Sequence, residues 1–157
     1  MAGHLDLSSP EETALAAIWS VLEADKEFSG VIRTRLKWDG SLCDMEAPPL
    51  PAQMPAVRID PVESPAGWES NGALREDLHL RITGWTRDTN LADLFGLLHL
   101  IRTVLFKTSN QSSLEAAGIE VHELIRGPVR QRSNDREHRY LEGQMVVRVQ
   151  LQIAQAE

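Results

Sequence analysis

Hydrophobic and polar positions along this chain switch period several times, and the switches mark its elements. The first regular stretch opens at Ser9-Pro10-Glu11-Glu12, a capping-box pattern with proline at the first helical position. Leu15, Ile18, Trp19 and Leu22 then recur at helical spacing, so a helix with one buried face is expected up to Asp25 or Lys26. Ser29-Gly30 reads as a turn. From Val31 to Trp38 the period drops to two, with Ile32, Thr34, Leu36 and Trp38 on one row and Val31, Arg33, Arg35 and Lys37 on the other. That is a strand with one basic row, and Asp39-Gly40 ends it.

No regular period runs from Ser41 to Met54, where Pro48, Pro49 and Pro51 argue against pairing. A short strand is expected over Pro55 to Pro61, with Val57 and Ile59 on one side and Arg58 on the other. Pro61, Pro65, Gly67 and Gly72 bracket a second loop that carries Trp68. A strand follows from Ala73 to Trp85, with Leu74, Leu78, Leu80 and Ile82 inward and Arg75, Asp77, His79, Arg81 and Thr83 outward. Asp88 or Asn90 is placed to cap a second helix over Leu91 to Phe106, whose stripe is Leu94, Leu97, Leu98, Ile101, Val104 and Leu105. Lys107 to Asn110 closes it, and Ser112 to Ala117 adds a helical turn stopped by Gly118. Ile119 to Arg126 reads as a strand, Gly127-Pro128 as its stop or kink, Val129 to Arg139 as a polar connector, and Tyr140 to Ile153 as a long final strand.

These elements define an α+β fold: two main helices packed on a mainly antiparallel sheet of four to five strands. The 157 residues fit one domain. Residues 1–8 form a lead-in, and residues 41–55 and 127–139 form long loops. A loop of such length in a compact domain often belongs to a partner contact.

Charge narrows the function. The formal net charge is −7, so attraction to nucleic-acid phosphates through a basic surface is not the default. One cysteine, Cys43, rules out an internal disulfide framework. The opening MAGHLDLSSPEE lacks a basic segment followed by an apolar run, so it is not read as a secretory signal, and a reducing, cytoplasm-like compartment is expected. Asp93, His99 and Arg102 interrupt the most apolar stretch, which argues against a membrane span.

Catalytic chemistry is sparse. The five histidines show no H-E-x-x-H spacing, and nucleotide-binding and nucleophile-elbow motifs are absent. His122-Glu123 and Glu76-Asp77-x-His79 are the nearest approaches; alternation puts Asp77 and His79 on one strand face, where an acid–base or metal pair is conceivable and a solvated pair is the plainer reading. Cys43 beside Asp44 lacks a nucleophile's surroundings. No catalytic, metal-binding or cofactor-binding set is therefore expected, and the chain is read as a non-enzyme.

Interface candidates stand out more. Trp68 sits in a loop, and tryptophan is enriched at binding hot spots. Trp19 belongs to the first helix's core stripe, while Trp38 and Trp85 either close the ends of the core or join an interface. Pro48 and Pro49 stiffen the first long loop. Arg126, Arg130, Arg132, Arg136 and Arg139 gather around the last connector, interleaved with Asp135 and Glu137. Mixed signs favour a solvated loop; a binding loop there would face an acidic surface or DNA phosphates.

The segment LREDLHLRITGWTRDTNLADLFGLLHLIRTVLF resembles the central strand, aromatic end, turn and helix of phage tail terminator (tail completion) proteins. PAVRIDP resembles the short strand after their variable loop, LEGQMVVRVQLQI their last strand, and EETALAAIWSVLEAD occupies the place of their opening helix. The resemblance covers most of the chain as an order of elements. The Ala47–Pro55 loop and the Val129–Arg139 connector depart from it and would equally suit another ring-forming neck protein. The resemblance implies a structural virion protein that forms a ring, usually of six subunits, at the head-proximal end of the tail tube. Such a ring stops tube growth and meets the head's connector, and DNA passes through its lumen. Its expected partners are copies of itself, the tail tube protein, a head completion or connector protein, and DNA held without sequence preference; no membrane is involved. On this reading the two long loops make the contacts between proteins, and deleting either leaves the fold intact. A small α+β module that binds a ligand or another protein is the alternative from a different class.

Overall fold

Ser9 starts the first helix as its pattern predicts. In a computed structural model, which describes residues 9–38, 49–62, 75–87, 90–133 and 139–152, its hydroxyl accepts the Glu12 amide at 3.1 Å. Helix α1 spans Pro10–Ala24 and buries Leu15, Ile18, Trp19 and Leu22. Asp25 then does two jobs. Its backbone N–H closes α1 on the Leu22 carbonyl, and its carboxylate accepts the Phe28 amide at 2.9 Å. That cap launches a second short helix, α2 (Lys26–Val31), which seats the fully buried Phe28 edge-on against Trp19, with ring centroids 6.4 Å apart. Ser29-Gly30 therefore lies inside a helix rather than in a turn, and the strand expected from Val31 shrinks to β1 (Thr34–Lys37).

A 3-10 turn over Pro51–Gln53 leads into β2 (Ala56–Val62), and β3 covers Arg75–Arg87. Asn90 caps α3 (Leu91–Leu105) by accepting the Ala92 amide at 3.0 Å. All six stripe residues of α3 are buried. Lys107 to Asn110, read from sequence as a stop, instead begins α4 (Thr108–Ala116), which ends before Gly118 at a positive φ of 82°. Strands β4 (Ile119–Ser133) and β5 (Arg139–Gln152) complete a mixed α+β fold, which among the described residues has four α-helices and a mostly antiparallel five-stranded sheet.

The sheet order is β1-β2-β3-β5-β4. Among the described strands, β1 and β2 run parallel, with Thr34 opposite Ala56, and the other pairs are antiparallel. Parallel neighbours need a crossover between them, commonly a dozen residues or more. The chain between Lys37 and Ala56 makes that return; within its described part Pro49 and Met54 are buried and the Pro55 carbonyl accepts the Arg33 amide at 2.8 Å, so residues 49–55 are packed into the fold rather than separable from it. The helices cover one sheet face, and the core lies between them and the rows Val57, Ile59, Leu80, Ile82, Met145, Val147 and Val149. Gly84 and Gly143 are cross-strand partners under α3. A methyl group at Gly143 would meet Leu98 at 3.0 Å and Leu94 at 3.2 Å, and one at Gly84 would meet Leu97 at 3.1 Å. This glycine pair lets the helix approach the sheet closely.

The second long loop is not a loop over most of its length. Residues 129–133 continue β4 and pair with β5, from Val129 opposite Gly143 to Ser133 opposite Arg139. Two bulges hid this from the sequence. One extra residue lies between His122 and Leu124, and another between Arg126 and Val129, where Gly127-Pro128 sits. Each bulge changes which positions in the alternation oppose β5's core row, so odd, then even, then odd positions face that row. Deleting 129–139 would remove paired strand, contrary to the sequence expectation that it is separable from the fold.

Candidate functional site

The sheet face opposite the helices carries charge that the sequence pattern placed in solvent. Asp60 is only 1% exposed and lies between two guanidinium groups. Arg81 donates to its carboxylate through Nη2 at 2.6 Å, and Arg58 Nε lies 4.0 Å from Oδ1. Arg58 also sits over the Trp85 ring, 5.0 Å from its centroid. The buried Trp85 indole donates to Glu142 at 2.9 Å, and Glu142 accepts Arg132 Nε at 3.3 Å. A continuous polar chain thus crosses β2, β3, β5 and β4. Strand geometry explains it: residues two apart share a face, and cross-strand neighbours bring opposite charges together. Met54, Ala56 and Tyr140 pack with Trp85 into a small second core at this end.

Asp77 and His79 do share this face, but Asp77 accepts a hydrogen bond from Arg148 at 3.3 Å. His79 is buried, and its pKa is pushed below the ordinary 6.5, first by burial and then by the Arg148 charge, with Asp77 opposing. Tyr140 is pushed above the ordinary 10, first by burial and then by the Glu142 charge, with Arg132 opposing. His122 Nε2 lies 3.2 Å from Glu120 and 3.1 Å from Gln150. Among the described residues, no group of three or more His, Cys, Asp or Glu side chains is arranged to hold a metal ion.

The two sheet edges differ strongly. Strand β4 is fifteen residues long, and the end of the β4–β5 hairpin carries exposed Arg130, Arg132 and Arg139. Ile125 stands 53% exposed further along this strand. Arg126 stacks on Phe95 of α3 at 4.3 Å, beside a pocket that also includes His99 and Arg102. Strand β1, at the opposite edge, has four residues. Between it and α1 lies an open groove of about 660 Å³, walled by Leu15, Trp19 and Trp38 and carrying Glu12, Glu23 and Lys37. Lys37 contacts Glu23 at 2.7 Å, and its ammonium lies 5.7 Å from the Trp19 ring centroid.

Of the interface residues singled out from sequence, Arg130 and Arg132 are exposed on an edge strand rather than on a connector. Pro49 is buried. Trp68, Pro48 and Arg136 lie outside the described residues, as does Cys43. Trp38 is half-buried against the main core, and Trp85 anchors the second one. The sequence reading missed Asp60 and Glu142 as network centres, and Glu12 and Glu23 as groove residues. The Arg58-x-Asp60 spacing, two apart in a strand, was the available signal for the first.

No protein-family model matches the chain, and no curated protein matches it. No described helix is long and apolar enough to cross a membrane.

Proposed function

We propose that this chain is a tail terminator, or a closely related head–tail neck protein. It assembles into a ring, hexameric by the family resemblance, on the head-proximal end of a phage tail tube. There it stops tube growth and joins the tail to the head's connector, and DNA passes through the lumen without sequence-specific contacts. It acts in host cytoplasm during assembly and afterwards in the virion neck. The role is structural, with no catalytic step or cofactor assigned.

The observation that supports this most directly is the pair of unlike edge strands, β1 and β4, at opposite ends of the described sheet. A ring needs two different surfaces on each subunit, meeting head to tail. One edge here is long and arginine-bearing, and the other borders an acidic, aromatic groove. The charged sheet face adds support: its arginines are matched by Asp60, Asp77 and Glu142, which blunts its attraction for DNA phosphates.

Light scattering with negative-stain imaging tests the reading. A closed oligomer with a central hole, or a monomer that caps purified tail tubes and stops their growth, is the expected result. A chain that stays monomeric and leaves tube growth unchanged overturns it.

A further inference from the structure

We propose that the arginine-bearing end of the β4–β5 hairpin of one copy seats in the α1–β1 groove of the next. This rests on the ring reading and names the two surfaces that would close it.

Three observations converge. The first is position. Strands β1 and β4 lie at opposite edges of a five-stranded sheet. Four interstrand spacings separate them, roughly 19 Å at about 4.8 Å each. The hairpin end and the groove therefore meet between copies, and the contact is heterologous, as a ring requires.

The second is charge. Helix α1 carries Glu11, Glu12 and Glu23 and no basic residue, whereas between residues 130 and 139 Arg130, Arg132, Arg136 and Arg139 outnumber Asp135 and Glu137. Arg132 is held by Glu142 of its own chain. Arg130 and Arg139 are exposed.

The third is what the groove already holds. Lys37 of the same chain lies over the Trp19 ring and against Glu23, and its side chain is 55% exposed. The groove thus stabilises a cation between an indole and a carboxylate, with Trp38 as a further aromatic wall. A guanidinium suits such a site better than an ammonium. It stacks on an aromatic face while its planar donors reach carboxylates in pairs. Lys37 is free enough to give way to an incoming arginine.

Backbone pairing between edges does not compete well with this contact. Strand β1 offers four residues, and β4 carries two bulges and Pro128. These are features that discourage strand addition. Side chains make the contact instead.

The test uses two charge-reversed variants of the full chain, R130E/R139E and E12K/E23K. Circular dichroism first verifies that each folds. Each alone should need roughly a hundredfold higher concentration for half-assembly, because like charges then face each other. An equimolar mixture should assemble at the wild-type concentration. In an alternating ring, reversed hairpins meet reversed grooves and unreversed ones meet unreversed ones. The neutral variant R130Q/R139Q brings no added negative charge near Glu142 and should still weaken assembly at least tenfold. Wild-type assembly with unaffected variants overturns this contact alone, as does a mixture of folded variants that fails to recover. A wild-type chain that stays monomeric, in solution and on tail tubes, overturns the ring reading and the contact with it.

Discussion

Replacing Asp60 by asparagine tests whether the charged sheet face behaves as interior or as surface. The carboxylate is 1% exposed, accepts from Arg81 at 2.6 Å and lies 4.0 Å from Arg58 Nε. The side chains of Arg58 and Arg81 are themselves only 11% and 20% exposed. Removing one partner of a buried charge group costs about 3–5 kcal/mol, mostly because the remaining charges stay desolvated. Asparagine keeps the shape and one acceptor oxygen, so the low end, about 3 kcal/mol, is expected. For a chain of this size that lowers Tm by about 6–12 °C. Lys37→Ala provides the control. Lys37 and Glu23 are also close, at 2.7 Å, but 55% and 34% exposed. An exposed pair contributes about 0–1 kcal/mol. Urea unfolding followed by circular dichroism, at low salt and in 0.5 M NaCl, separates the two cases. The Lys37→Ala effect should shrink with salt, whereas the Asp60→Asn effect should persist, because buried charges are poorly screened. A D60N cost below about 1 kcal/mol, or one that disappears with salt, refutes the argument that burial decides the magnitude.

Two other outcomes follow from packing and protonation. Gly143→Ala should destabilise by about 1–2 kcal/mol, since its methyl group crowds two buried leucines; overpacking of about 1–3 kcal/mol is partly offset by the loss of a strand glycine. Gly84→Ala, with one tight contact, should be nearly neutral by the same denaturation assay, and a reversed order would contradict the account of α3's seat. For His79 the folded pKa is lowered, so its contribution is fully present above pH 6.5 and is lost as pH falls through that value and then through the folded pKa. Urea midpoints from pH 8 to pH 5 should therefore fall more steeply for wild type than for His79→Gln, and parallel profiles would remove His79 as the cause.

Local signals carried the helices well and the sheet less well. Ser9 and Asn90 cap where their positions suggest, and the buried stripes of α1 and α3 match the residues read from periodicity. Asp25 was ambiguous because one residue both ends α1 and starts α2, and only the burial of Phe28 explains why the chain turns helical again. On β3 the inward row was legible, but His79 and Thr83, expected outside, are buried. Alternation within one strand says which side a residue takes, not what lies across from it. The Trp85–Glu142 bond joins residues 57 apart in sequence, and no local pattern encodes it. The same limit applies to the candidate interface residues. Their types drew attention to the arginines, but only the sheet order assigns them to the edge opposite the groove.

The bulges in β4 also bear on how this chain can change in length over evolution. Each holds one residue that β5 does not match, so losing a residue at either place leaves the rest of the ladder in register. Strand β5 has no such slack. It runs in unbroken register against β3 from Tyr140 to Gln152 and is paired on its other side as well. One insertion or deletion there would turn every subsequent side chain to the wrong face in two ladders at once. Homologous chains should therefore vary in length along the outer strand while holding the inner one constant to the residue.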